Sequence, residues 1–132
     1  MENVWKYKID VSDMAVFSRI EEERNIVFPD QLKQFIVANN ACTPTNYKFM
    51  LGNNEKVFGS VLSFNVGEKD TDSVFTAFLI IEDHNLLPFG IDPFGNYICY
   101  SVKNGQILFW DHETGETKEI KNSFKEFIDS LY

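Results

Sequence analysis

Histidine and cysteine are scarce in this chain, with two of each among 132 residues. That scarcity removes most metal and nucleophile chemistries. Neither His84 nor His112 stands at i, i+4 from another ligand type in a known metal pattern, and Cys42 and Cys99 lack metal-ligand spacing, so no metal site is expected. Two cysteines are also too few for a disulfide framework, and they read as reduced thiols of a cytoplasmic protein. The seven glycines occur singly. Gly90, Gly95, Gly105 and Gly115 fall in or near turns, and no stretch resembles a Walker or dinucleotide loop. No stretch approaches the roughly 20 apolar residues that cross a bilayer. The opening Met1-Glu2-Asn3-Val4-Trp5-Lys6 lacks the basic and apolar regions of a signal peptide, so none is expected.

Aromatic side chains, by contrast, are abundant: thirteen Phe, five Tyr and two Trp. Such content opposes disorder and supports a packed core with strand content. The length suits one domain over residues 1–132. The net charge is −8. It is unevenly spread, because residues 68–116 hold nine acids against Lys69 and Lys103, while the remainder is close to neutral. A field of this sign repels nucleic acid and anionic lipid and attracts basic partners. The plain alternative is that the charge serves solubility.

Apolar spacing predicts a helix over 12–24, capped by Ser12 or Asp13, and a second over 29–39 that opens at Pro29. Strands are expected over 47–51 and 56–65. Val74, Phe75, Phe78 and Leu79 have helical spacing behind a cap at Asp72 or Ser73, although 78–81 alone would also suit a buried strand. From Phe89 onward the pattern is a meander. Its turns are Asp92-Pro93-Phe94-Gly95-Asn96, Lys103-Asn104-Gly105 and Glu113-Thr114-Gly115, and its strands cover 97–101, 107–111 and 117–120. Ser123 and Glu126 form a capping box before Phe124, Phe127, Ile128 and Leu131, the clearest amphipathic helix of the chain. Phe35, Phe89, Phe109, Phe124, Phe127 and Ile128 are the expected core, with Trp110 about half covered. The fold class is therefore α+β, a single domain whose mostly antiparallel sheet is flanked by helices.

Three groupings invite a catalytic reading. Asp111-His112-Glu113 is a reactive triplet in composition, but consecutive strand residues face opposite ways and do not converge. Cys99 beside a histidine would make a nucleophilic pair, yet it lies in the apolar strand Tyr97-Ile98-Cys99-Tyr100, where a thiol behaves as a small hydrophobe. Asp83 and Asp92 would suit acid–base work, but acids flanking turns are more simply caps. No catalytic, cofactor-binding or metal-ligating residue is assigned.

Four segments resemble the SUKH superfamily (the Smi/Knr-type domain). Phe28-Pro29-Asp30-Gln31-Leu32-Lys33-Gln34-Phe35, running on to Asn39-Asn40, is similar to its "lP-x-x-l-k-x-f … N" helix. The stretch from Leu87 to Cys99 resembles "ipfa-D-x-x-G-N-x-i-c", and Ile107-Leu108-Phe109-Trp110-Asp111-His112-Glu113 resembles "v-x-f-w-d-h-e". Ser123-Phe124-Lys125-Glu126-Phe127-Ile128 with Leu131 matches the closing "S-F-x-e-F-l-x-x-L" helix. The chain departs from the pattern at Ala41, where the family often has glycine, at Gly90, where it often has alanine, and at Ser101, where it often has an acid. The resemblance implies a SUKH-like fold and, for many bacterial members, an immunity protein that binds and blocks a cognate polymorphic toxin, often a nuclease.

The expected function is thus toxin neutralisation by protein–protein contact, without catalysis, in the cytoplasm. A partner with a basic surface is expected, and neither nucleic acid nor a membrane. Asp70, Asp72, Glu82, Asp83, Asp111 and Glu113, on turns of the acidic stretch, are the candidate partner-binding residues. Two other readings stand beside it: a regulatory or scaffolding module for a different protein, as in the cell-wall-regulating branch, and a small-molecule-binding domain with an aromatic-lined pocket.

Overall fold

A computed structural model describes residues 2–67 and 72–132. In chain order the elements are β1 (Trp5–Lys6), α1 (Val16–Arg24), α2 (Asp30–Asn39), β2 (Thr43–Pro44), β3 (Lys48–Leu51), β4 (Asn54–Val57), β5 (Ser60–Val61), α3 (Val74–Ile80), β6 (Leu86–Ile91), β7 (Tyr97–Ser101), β8 (Ile107–Trp110), β9 (Thr117–Lys121) and α4 (Phe124–Ser130). The fold is α+β. Strands β5 to β9 form a five-stranded sheet in sequence order, every pairing antiparallel, and β1–β2 and β3–β4 are separate antiparallel pairs.

Local chemistry accounts for most boundaries. The Ser73 hydroxyl caps α3 by accepting the Phe75 N–H at 3.1 Å, so the segment with two open readings is a helix. Ser123 does the same for α4 through the Glu126 N–H at 3.1 Å. The first helix begins at Val16 rather than Ser12. Ser12 is occupied elsewhere, its N–H donating to Asn65 Oδ1 at 2.8 Å, and Asp13 accepts the Ala15 N–H in a turn that precedes the helix.

The expected strand over 56–65 is two strands. Phe58 and Gly59 leave the β3–β4 hairpin here, and the Gly59 N–H donates to Ile91 O at 2.9 Å. A Cβ on Gly59 would stand 2.8 Å from that carbonyl, so the crossover depends on glycine. A similar constraint explains Gly90: its missing Cβ leaves room for the Phe58 ring, whose Cε2 would lie 2.4 Å from it.

The core is an aromatic stack. Phe127 packs on Phe49, Phe58 and Phe89, with ring centroids 5.4 to 6.1 Å apart, and Phe124 joins Phe89 at 5.4 Å. Phe89, Phe109, Phe124 and Phe127 are buried as expected. Phe35 and Ile128 are only partly buried, and Phe35 is covered by Trp5 edge-on at 5.0 Å. Trp110 is more buried than its place beside a hairpin suggests. Tyr97 packs against it at 5.8 Å, and it shares a groove with Ile80 and Ile81 at the end of α3.

Candidate functional site

The residues of the family motifs are structural ties. Asp92 is buried and accepts three hydrogen bonds, from the Phe94 and Asn96 N–H groups and from Asn96 Nδ2, each at 2.9 Å. Asn96 Oδ1 in turn accepts the His112 N–H at 2.9 Å and faces His112 Nδ1 at 2.7 Å. The β6–β7 turn is thereby locked to the end of β8 through one aspartate, one asparagine and one histidine. This use of His112 also separates it from Asp111, whose Oδ1 accepts the Glu113 N–H at 2.8 Å in its own turn. Among the described residues no group of three or more His, Cys, Asp or Glu side chains is placed to hold a metal ion.

Cys99 is fully enclosed, and burial, with a smaller contribution from the Asp83 charge, pushes its thiol far above the ordinary value. A thiol so placed is inert. Asp83 and Asp92 do not meet: Asp92 is committed to Asn96, while exposed Asp83 accepts the Asn85 N–H at 2.9 Å.

The acidic candidates fall in two places. Glu82 and Asp83 are exposed at the C-terminal end of α3 and line a groove of about 320 Å³ with Trp110, Gly115 and Thr117. Asp72 is exposed just before α3, and its charge adds to the burial that raises the Tyr97 hydroxyl. Asp111 and Glu113 lie around the β8–β9 turn, on the side of Phe109 rather than Trp110. Asp70 lies outside the described residues.

A linear charge map conceals how these groups are matched. Lys56, remote from the acidic stretch in sequence, and Lys118, just past its end, line a groove with Asp111 and Glu116. Lys56 also lies near Glu113, its Nζ 5.3 Å from the centre of the Phe109 ring. The acids of the β8–β9 turn are therefore partly compensated. Those of α3 have a different surrounding: Asp83 and, across the adjoining groove, Glu23 have Arg24 as a neighbouring cation, and the groove that Glu82 shares with Asp83 has no Lys or Arg among its described lining residues. Arg24 is itself 9% exposed, with its guanidinium 4.1 Å from the centre of the Phe78 ring and Nη2 donating to Asp83 O at 3.3 Å.

Sequence reasoning missed this compensation: Lys118 stands just past the acidic stretch, and only the fold brings Lys56 to the turn. It also passed over the apolar surface of α3, although the signal was present. Val-Phe-Thr-Ala-Phe-Leu-Ile carries one polar residue in seven, more than burying a single face requires.

The sequence profile of the SMI1 / KNR4 family (SUKH-1) matches residues 13–130. The chain belongs to this family. In this chain the Asp92–Asn96 and Trp110–Glu113 segments form the locked turns described above, and α4 is the closing helix. Over 51 residues the chain is 45% identical to the SPbeta prophage-derived uncharacterized protein YokK of Bacillus subtilis (strain 168). That alignment covers 36% of this chain and spans about a quarter (27%) of the relative's own length. Among the described residues no helix is long and apolar enough to cross a membrane.

Proposed function

We propose that this SUKH-1 chain is an immunity protein that binds a cognate toxin stoichiometrically and reversibly in the cytoplasm, without catalysis. The observation that carries the reading is the poorly compensated acidity at the end of α3, on a member of this family. Such a surface steers a basic protein into contact and repels nucleic acid, so a nuclease with a positive substrate cleft is the fitting partner. The prophage origin in the relative's name suits the same setting. The grooves beside α2 and α3 are open to solvent, which fits a macromolecular partner better than an enclosed small ligand.

The partner surface comprises Asp70, Asp72, Glu82, Asp83, Asp111 and Glu113. Its members differ in how they can be tested. Asp111 and Asp83 each accept a backbone N–H in a turn, so reversing them would disturb folding as well as charge. Glu82 and Glu113 are exposed, and neither reversal removes a turn of this kind. The double variant Glu82→Lys, Glu113→Lys should shift stability by no more than about 1 kcal/mol. Its association with the cognate toxin should be several-fold slower at low salt, with the difference narrowing as salt rises. An association rate unaffected by both the reversal and salt would remove the acidic surface from recognition.

A further inference from the structure

The exposed apolar face of α3 is left uncovered by a helix that has almost no polar side. Val74 and Ala77 are buried and Phe75 and Phe78 half-buried, whereas Leu79 is 86% and Ile80 49% exposed. A helix apolar all round is normally enclosed, and exposed apolar patches of this kind mark contact sites. Phe75, Phe78 and Leu79 line an open groove with Glu23, Arg24 and His84. Ile80 belongs to the neighbouring groove with Glu82, Asp83 and Trp110, so the end of α3 joins the two.

The rim supplies the argument for what covers this face. Glu23, Glu82 and Asp83 surround it at the surface. The local cation, Arg24, is sunk beneath Phe78, and its buried Nε lacks a hydrogen-bond partner among the described residues. An apolar centre ringed by acids disfavours phosphate-bearing partners such as nucleic acid or anionic lipid. It complements a protein surface with the opposite rim.

We infer that α3 is the energetic centre of the toxin-binding surface, and that it receives a protein patch of apolar side chains encircled by Lys and Arg. This rests on the immunity reading and adds to it a division of labour. Leu79 and Ile80 hold the complex together, while Glu23, Glu82 and Asp83 speed its formation. Hot spots of interfaces lie at such apolar centres, and rim charges act on the association rate.

The test is binding of the adjacent gene's product, taken as the candidate toxin, measured kinetically for the wild type, Leu79→Glu, Leu79→Ala and Val4→Glu. Val4 is 53% exposed and lies beside β1, away from both grooves. Leu79→Glu should raise Kd by roughly 30-fold or more, chiefly through faster dissociation, and Leu79→Ala should do so less strongly. Val4→Glu should bind as the wild type does, and all four proteins should unfold at similar midpoints.

If the wild type binds and Leu79→Glu binds equally well, the α3 inference is wrong and the immunity reading survives. If the wild type itself fails to bind, the immunity reading falls and takes the inference with it. Sedimentation of the wild type alone gives one further outcome. A dimer that dissociates on Leu79→Glu would show that a second copy of the chain covers this face, and would overturn the inference.

Discussion

Ala41 holds φ at +63°, in the left-handed region where a Cβ is disfavoured. The strain persists because its neighbours are fixed. Asn40 Nδ2 donates to Ile9 O and its Oδ1 accepts the Phe64 N–H, both at 2.9 Å, while the Cys42 N–H reaches Asn39 O. Ala41→Gly should therefore stabilise the protein by roughly 0.5–1 kcal/mol, after allowing for the added freedom of the unfolded chain. A urea midpoint that falls instead of rising would show that no strain is stored at Ala41. Cys99 makes the second residue-level prediction. Burial raises its thiol above the ordinary value near 9.0, so the folded protein keeps it neutral where the unfolded chain ionises. The resulting stability is fully present below that ordinary value and is lost as pH climbs above it. Burial shifts Cys42 and Tyr97 in the same direction. The thermal midpoint should fall between about pH 8 and about pH 10, and Cys99→Ala should flatten part of that slope.

Helix α4 shows how an element can be legible in sequence. Its serine cap and its i, i+3, i+4, i+7 apolar spacing point the same way, and Phe127 is fully buried against three other rings. Phe127→Ala should cost about 3–5 kcal/mol, read as a shift in the denaturation midpoint at unchanged slope. An unshifted midpoint would contradict the aromatic-stack account of the core. The meander β6–β9 was equally legible, because each of its turns carries Gly, Asn or Asp at positions that need them. Where legibility failed, tertiary contact had decided the outcome. The break at Phe58-Gly59 depends on Gly59 meeting Ile91, a partner 32 positions away, and β1 and β2 are two-residue strands with no periodicity to detect. Trp110 is packed against Tyr97, its cross-strand partner on β7, a contact that no local pattern around the tryptophan announces.

At the scale of the molecule, the motifs and the candidate contact surface divide between scaffold and recognition. Asp92, Asn96 and His112 hold the turns, the aromatic stack holds the sheet against α4, and the surface near α3 is left with exposed acids and exposed apolar side chains. The scaffold could be read from the sequence because its residues form motifs. The candidate surface could be read only in part. Its acids were visible, but their compensation by Lys56 around the β8–β9 turn required the fold. The proposed function stands most directly on one titration: the activity of the adjacent gene's product, taken as the candidate toxin, followed as increasing amounts of this protein are added. The account predicts a linear fall to zero at one equivalent, with activity recovered when the complex is separated. Activity that persists beyond an equimolar amount, or that disappears at a small fraction of one, would contradict stoichiometric reversible neutralisation.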